Sequence, residues 1–158
     1  MTSTTTRCLI LACGNTLRQD DGVGPWLAEW ARERFHDRAE VSVIARQQWT
    51  PDLAEDIAGA ESVVFLDCSM EAAAGAIQLV PVEVASGDST FGTHHSGAPE
   101  LLAMGKELFH SQPRSALLLT VGAGSIEFGE RFSEPVTAAL AEASSLLEKT
   151  VLQLLSGA

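Results

Sequence analysis

At 158 residues, with 46% apolar and 20% charged positions, the chain has the length of one domain, 1–158, and the composition of a globular protein, not a disordered one. A formal charge of −11 disfavours binding to a nucleic-acid backbone or to an anionic membrane surface. No apolar run approaches the roughly 20 residues that span a bilayer, which excludes a membrane-spanning helix.

The opening "MTSTTTR" is polar and lacks signal-peptide character. "RCLILACG" follows, a short continuous apolar run that predicts a strand buried on both faces. From Gly22 to about Asp37 the period becomes helical, with Val23, Trp26, Leu27, Trp30 and Phe35 near one face and Glu29, Arg32 and Glu33 opposite. Pro25 suits its first turn. "AEVSVIARQ" alternates as a second strand, and "TPDLAEDIAGA" predicts a helix capped by Thr50 with Pro51 at its first position. "ESVVFLDCS" is a third buried strand, broken at Asp67, and "AIQLVPVEV" a fourth in which Pro81 points to an edge position or a bulge.

Residues 85–95, "ASGDSTFGTHH", form a polar loop. A helix from about Ala98 to Phe109 turns Leu101, Leu102, Gly105 and Leu108 inward, and "SALLLTVGA" is the fifth strand. Ser133 then caps a long helix with Pro135 in its first turn and Val136, Leu140, Ala143, Leu147, Val151 and Leu154 along the buried stripe. Alternating strands and helices without repeats or linkers imply an α/β three-layer sandwich: a twisted, mostly parallel five-stranded sheet with helices on both faces.

In such sheets ligands bind at the carboxyl ends of strands, near the point where strand order reverses. That rule selects Gly14–Asp21, Asp67–Met70 and Thr93–His95. Asp21, Asp67 and His94 then form a carboxylate, carboxylate and imidazole set suited to a borderline divalent metal such as nickel or zinc. Each has a plainer alternative. Asp20 and Asp21 also suit a helix N-terminus as capping acids, while His94 and His95 also suit a merely solvated loop. Asp67 tilts towards function, because a carboxylate closing a buried run is destabilising unless paired or liganded. His36 and His110 fall near helix C-termini, where the dipole accounts for them.

Other chemistries fit less well. "GNTLRQDDGVG" matches neither G-x-G-x-x-G nor a P-loop, and its two carboxylates would repel a pyrophosphate. No G-x-S-x-G elbow is present. The three cysteines, Cys8, Cys13 and Cys68, contain no C-x-x-C pair, argue against a disulfide framework and suggest a cytoplasmic location. Cys13 and Cys68 adjoin the selected segments and read as packing residues in preference to ligands or nucleophiles.

Four segments in order carry a family resemblance. "GNTLRQDDGVGPWLAE" resembles the N-terminal signature of the nickel–iron hydrogenase maturation proteases, G-N-x-L-x-x-D-D/E-G-x-G. "TPDLAEDIAGAESVVFLDCS", "THHSGAPELLAMG" and "GAGSIEFGERFSEPVTAAL" are similar to later segments of that family, so the likeness covers nearly the whole chain.

The resemblance implies an endopeptidase, a hydrolase that removes the C-terminal extension of a hydrogenase large-subunit precursor after nickel insertion. It implies recognition of nickel supplied by the substrate, with Asp21, Asp67 and His94 as the metal-contacting and catalytic residues. The register places His94, not His95, eight residues before Leu102 of the "E-x-L" segment that begins at Glu100. The implied partner is that precursor, with no nucleic acid, no membrane and a monomeric protease.

The metal either polarises the attacking water or serves only as a recognition element. Where several family members carry "D-G-G-T", this chain has "RQQWTPDL", so no acid from that segment carries over, and Gln48 and Thr50 are expected to line the cleft. The departure touches the substrate subtype, not the reaction. The rival readings are a non-catalytic nickel-binding chaperone, or a small-molecule hydrolase or nucleotide-binding domain on the same scaffold.

Overall fold

A computed structural model describes residues 5–85 and 97–157. Its strands are β1 (Cys8–Cys13), β2 (Val41–Arg46), β3 (Ser62–Ser69), β4 (Ile77–Pro81) and β5 (Ser115–Gly122). Its helices are α1 (Val23–Arg34), α2 (Leu53–Ala58), α3 (Ala98–Phe109) and α4 (Glu134–Leu155). The strands form one sheet in the order β2-β1-β3-β5-β4, parallel except for β4, which pairs antiparallel with β5. This is the expected α/β sandwich, and it places Pro81 on an edge strand, where its missing N–H breaks no ladder.

The continuous apolar runs of β1 and β3 follow from burial on both faces. Cys8, Ile10 and Ala12 of β1, with Val64 and Leu66 of β3, pack under α1 and α4. Leu9 and Leu11, with Val63 and Phe65, pack under Trp49, α2 and α3. At about 25 cal/mol per Å² of apolar surface, these two layers are the main source of stability.

Several elements differ from the sequence expectation. β3 is not broken at Asp67; it continues to Ser69, pairing Asp67 with Thr120, because β5 runs alongside to Gly122. The second helix is shorter than "TPDLAEDIAGA". Thr50 and Pro51 form a turn whose carbonyls accept from Leu53 and Ala54, and the Thr50 hydroxyl bonds the Asp52 carboxylate instead of capping.

In the last turn of α3, Leu108 is not turned inward as expected but is 65% exposed. Trp26 stands at 37% exposure, and at the end of α4 it is Leu155, more than Leu154, that is buried. His36 accepts the role read for it, with Nδ1 2.8 Å from the Glu33 carbonyl oxygen at the end of α1. His110 ends α3 in the left-handed region at φ 54°.

Strand order reverses between β1 and β3, since β2 lies to one side of β1 and β3 to the other. α1 starts above that point and sits very low on the sheet. A Cβ on Gly24 would come within 2.5 Å of the Cys13 carbonyl oxygen and 3.0 Å of that of Leu66. Gly24→Ala therefore pushes α1 off the strand ends. The expected loss is roughly 1–3 kcal/mol, the range for overpacking, read from urea unfolding.

Candidate active site

The turn after β1 is built around Gly14, at φ 150°, over which the backbone of Asp21 passes; a Cβ there would lie 1.9 Å from the Asp21 carbonyl oxygen. The chain then enters a 3-10 turn, Gln19–Gly22, and continues as α1 with Gly22 at the N-cap and no side-chain cap. Neither aspartate caps α1. They point to different partners.

Asp20 is wholly buried. Its carboxylate accepts from the backbone N–H groups of Gly124 (2.7 Å), Ser125 (2.9 Å) and Ser133 (2.7 Å) and from the Ser133 hydroxyl (2.7 Å). Burial raises the pKa of a carboxyl group, but here the bonds from Ser133, Ser125 and Gly124 outweigh it and hold Asp20 below its ordinary value. Ser133 does occupy the N-cap of α4, yet its hydroxyl turns to Asp20 and not to its own helix. Backbone bonds tie the same turn to the segment after β5: Gln19 N–H to Gly129, Gly129 N–H to Leu17, and Asp20 N–H to Ser125.

Asp21 faces the strand ends. One oxygen accepts from the Asn15 N–H at 2.7 Å, and the other accepts the Cys68 thiol at 3.4 Å. Asp67, on the α2–α3 face of β3, accepts from the Cys68 N–H at 2.8 Å and from the Cys13 thiol. Burial, reinforced by the nearby Asp21 charge, raises Asp67 to about 6 despite both of those bonds.

Asp21, Asp67 and Cys68 each place a ligand atom within 4.8 Å of the others, the one such group of three among the described residues. Two of the three sequence-predicted ligands are therefore together. The third, His94, lies outside the described residues, as does His95.

Cys13 and Cys68 are more than packing. They are the hydrogen-bond donors of the two carboxylates, one from each face of the sheet. Burial first, and the adjacent aspartates second, push both thiols far above the ordinary thiol range, which favours the protonated, hydrogen-bond-donating form. Which thiol meets which carboxylate depends on long-range register and has no local sequence signal.

The carboxylates open into a cleft of about 320 Å³ lined by Cys13, Gly14, Asp21, Gln47, Gln48, Trp49, Asp67 and Gly97. Gln48 lines it as expected; Thr50 does not. Trp49 was not foreseen, although its place just past the end of β2 meets the strand-end rule. A larger groove of about 600 Å³, bordered by Thr16, Pro25, Trp26 and Phe132, touches neither carboxylate.

The sequence matches no protein-family model and no curated protein. Solved structures do match. The hydrogenase maturating endopeptidase HybD from E. coli superposes with a TM-score of 0.73 at 18% identity over 93% of each chain. The hydrogenase 2 maturation peptidase from a Thaumarchaeota archaeon gives 0.67 at 26% identity, over 92% of this chain and 97% of that one. The nickel–iron hydrogenase maturation protease HycI from Thermococcus kodakarensis gives 0.66 at 23%, over 96% and 93%.

Two stability measurements separate the aspartates. Asp20→Asn loses roughly 2–4 kcal/mol, since a buried set of donors loses its charge partner. Because its folded pKa is lowered, the Asp20 contribution is present above pH 3.8 and is lost as pH falls through the folded value. Asp67→Asn has the opposite sign: with the folded pKa raised from 3.8 to about 6, ionised Asp67 destabilises the metal-free fold above pH 6. The variant gains up to about 3 kcal/mol there, and the gain vanishes near pH 4. Denaturant titrations across pH check both.

Proposed function

We propose that this chain, whose fold is that of the hydrogenase maturation endopeptidases, is itself a processing endopeptidase. Its substrate is the large-subunit precursor of a nickel–iron hydrogenase, and it removes the C-terminal extension once nickel has been inserted. The observation that carries this reading is the pairing of Asp21 and Asp67 at the strand-order reversal, in a cleft of a chain matched over more than 90% of its length by those endopeptidases.

The donor set fits the metal arriving in the substrate. Two carboxylates with a neighbouring thiol, and His94 as the proposed third ligand, suit a borderline divalent ion such as nickel. Substrate-borne nickel supplies recognition and, as a Lewis acid, can polarise an adjacent carbonyl.

The protein's own groups do the rest. Asn15 N–H and Cys68 N–H fix the two carboxylates before substrate arrives, so little ordering remains at docking and orientation contributes much of the rate gain. A cleft carboxylate accepts the proton of the attacking water and returns it to the departing amine, so the amide bond breaks as the new C–O bond forms. The precursor's metal thus reports its own maturation state, and only a nickel-loaded chain is held for cutting.

The C-terminal mass of a nickel-loaded precursor, with and without the protein, tests this. Asp21→Asn, Asp67→Asn and His94→Ala should each slow processing by at least about 100-fold with the fold retained, the range for loss of a catalytic acid–base group, while His95→Ala stays mild. A precursor that remains full length with the folded wild type would support a non-cutting nickel chaperone instead.

A further inference from the structure

Two buried side-chain polar atoms have no hydrogen-bond partner among the described residues; one belongs to a residue lining the cleft, the other to a residue packed over one. One is the indole Nε1 of Trp49, a cleft-lining residue only 8% exposed. The other is Oε2 of Glu100 in the first turn of α3. Its carboxylate lies over Gly97, where a Cβ would meet Oε2 at 2.6 Å, and Gly97 lines the same cleft. At this position a glutamate commonly reaches back to the N–H that opens its helix; here Oε2 makes no such bond.

An indole N–H only donates, and a carboxylate oxygen only accepts. The cleft-lining Trp49 therefore carries an unmet donor, and Glu100, packed over Gly97, an unmet acceptor. The ligand chemistry that answers both is a peptide backbone, with a C=O for Trp49 and an N–H for Glu100. We infer that Trp49 and Glu100 are positioning residues that grip the main chain of an extended segment of the peptide substrate beside Asp21 and Asp67.

This deepens the endopeptidase reading and rests on it. The indole is aimed by its edge-to-face contact with Phe65, ring centroids 5.1 Å apart, so its donor direction is set by the core. Both atoms are closed to water, so the peptide reaches them as the wall between Trp49 and Gly97 parts. An unmet buried polar group destabilises the free protein, and that free energy is recovered when the backbone supplies the partner.

KM and kcat for removal of the extension from nickel-loaded precursor are compared for wild type, Trp49→Phe, Glu100→Ala and Glu100→Gln. Trp49→Phe and Glu100→Ala should each raise KM about tenfold, the effect of about 1.4 kcal/mol, with kcat held within about threefold. Glu100→Gln, which keeps an acceptor oxygen, should recover most of the loss.

In a ¹H–¹⁵N spectrum, the Trp49 indole signal of metal-free protein should move downfield when a peptide copy of the extension is added. Unchanged KM in all three variants beside an active wild type overturns the inference, as does a lowered melting temperature with unchanged KM, which marks a structural bond. A folded wild type that fails to cut overturns the endopeptidase reading itself, a result distinct from either.

Discussion

A charge with no exposure to water organises this end of the molecule. Asp20 sits wholly buried, and its two oxygens collect three backbone N–H groups and a hydroxyl from the segment between β5 and α4. A buried carboxylate tolerates that position only when so fully bonded. The consequence is geometric: the turn after β1 is clamped to the far side of the sheet, which fixes where the next residue, Asp21, can point. Gln19, in the left-handed region at φ 44°, is held by the same clamp through its N–H bond to Gly129.

Beside that stabilised charge stands a crowded pair. Asp67 is driven up to about 6 by burial and by its neighbour Asp21, and its bonds to Cys13 and the Cys68 N–H do not bring it back. Two adjacent carboxylates are a poor arrangement for a resting fold and a good one for receiving a cation. The protein thus keeps stability in Asp20 and forgoes it in Asp67, the usual division between a scaffold and a site built on it.

Much of this was legible in the sequence. Five strands, four helices and their order follow from apolar period and from punctuation by Gly, Pro and Ser, since those signals are local. Asp67 was legible because an acid closing "VVFL" has no cheap structural explanation, and Asp21 because it follows a strand end at the chain reversal.

What was not legible depends on partners distant in sequence. Asp20 as a clamp requires Ser133, more than a hundred residues away. The thiol–carboxylate pairs require strand register, and the exposure of Leu108 requires knowing what packs on the last turn of α3. Trp49 carried no sequence signal of its own, because an indole without a partner is visible only once its surroundings are.

The sheet also divides the labour of the cleft. Asp20 and its donors belong with α1 and α4 on one layer, whereas Trp49 and Gly97 come from the other, with α2 and α3. The two layers pack on opposite faces of the sheet and come together at the cleft, where Asp21 reaches in from the turn before α1 and Asp67 projects on the α2–α3 face. Substitutions at Trp49 therefore act beside Asp67 and away from the Asp20 bonds that fix the turn carrying Asp21. Such a fold can vary the wall beside Asp67 while the packing that fixes Asp21, on the opposite face, stays as it is.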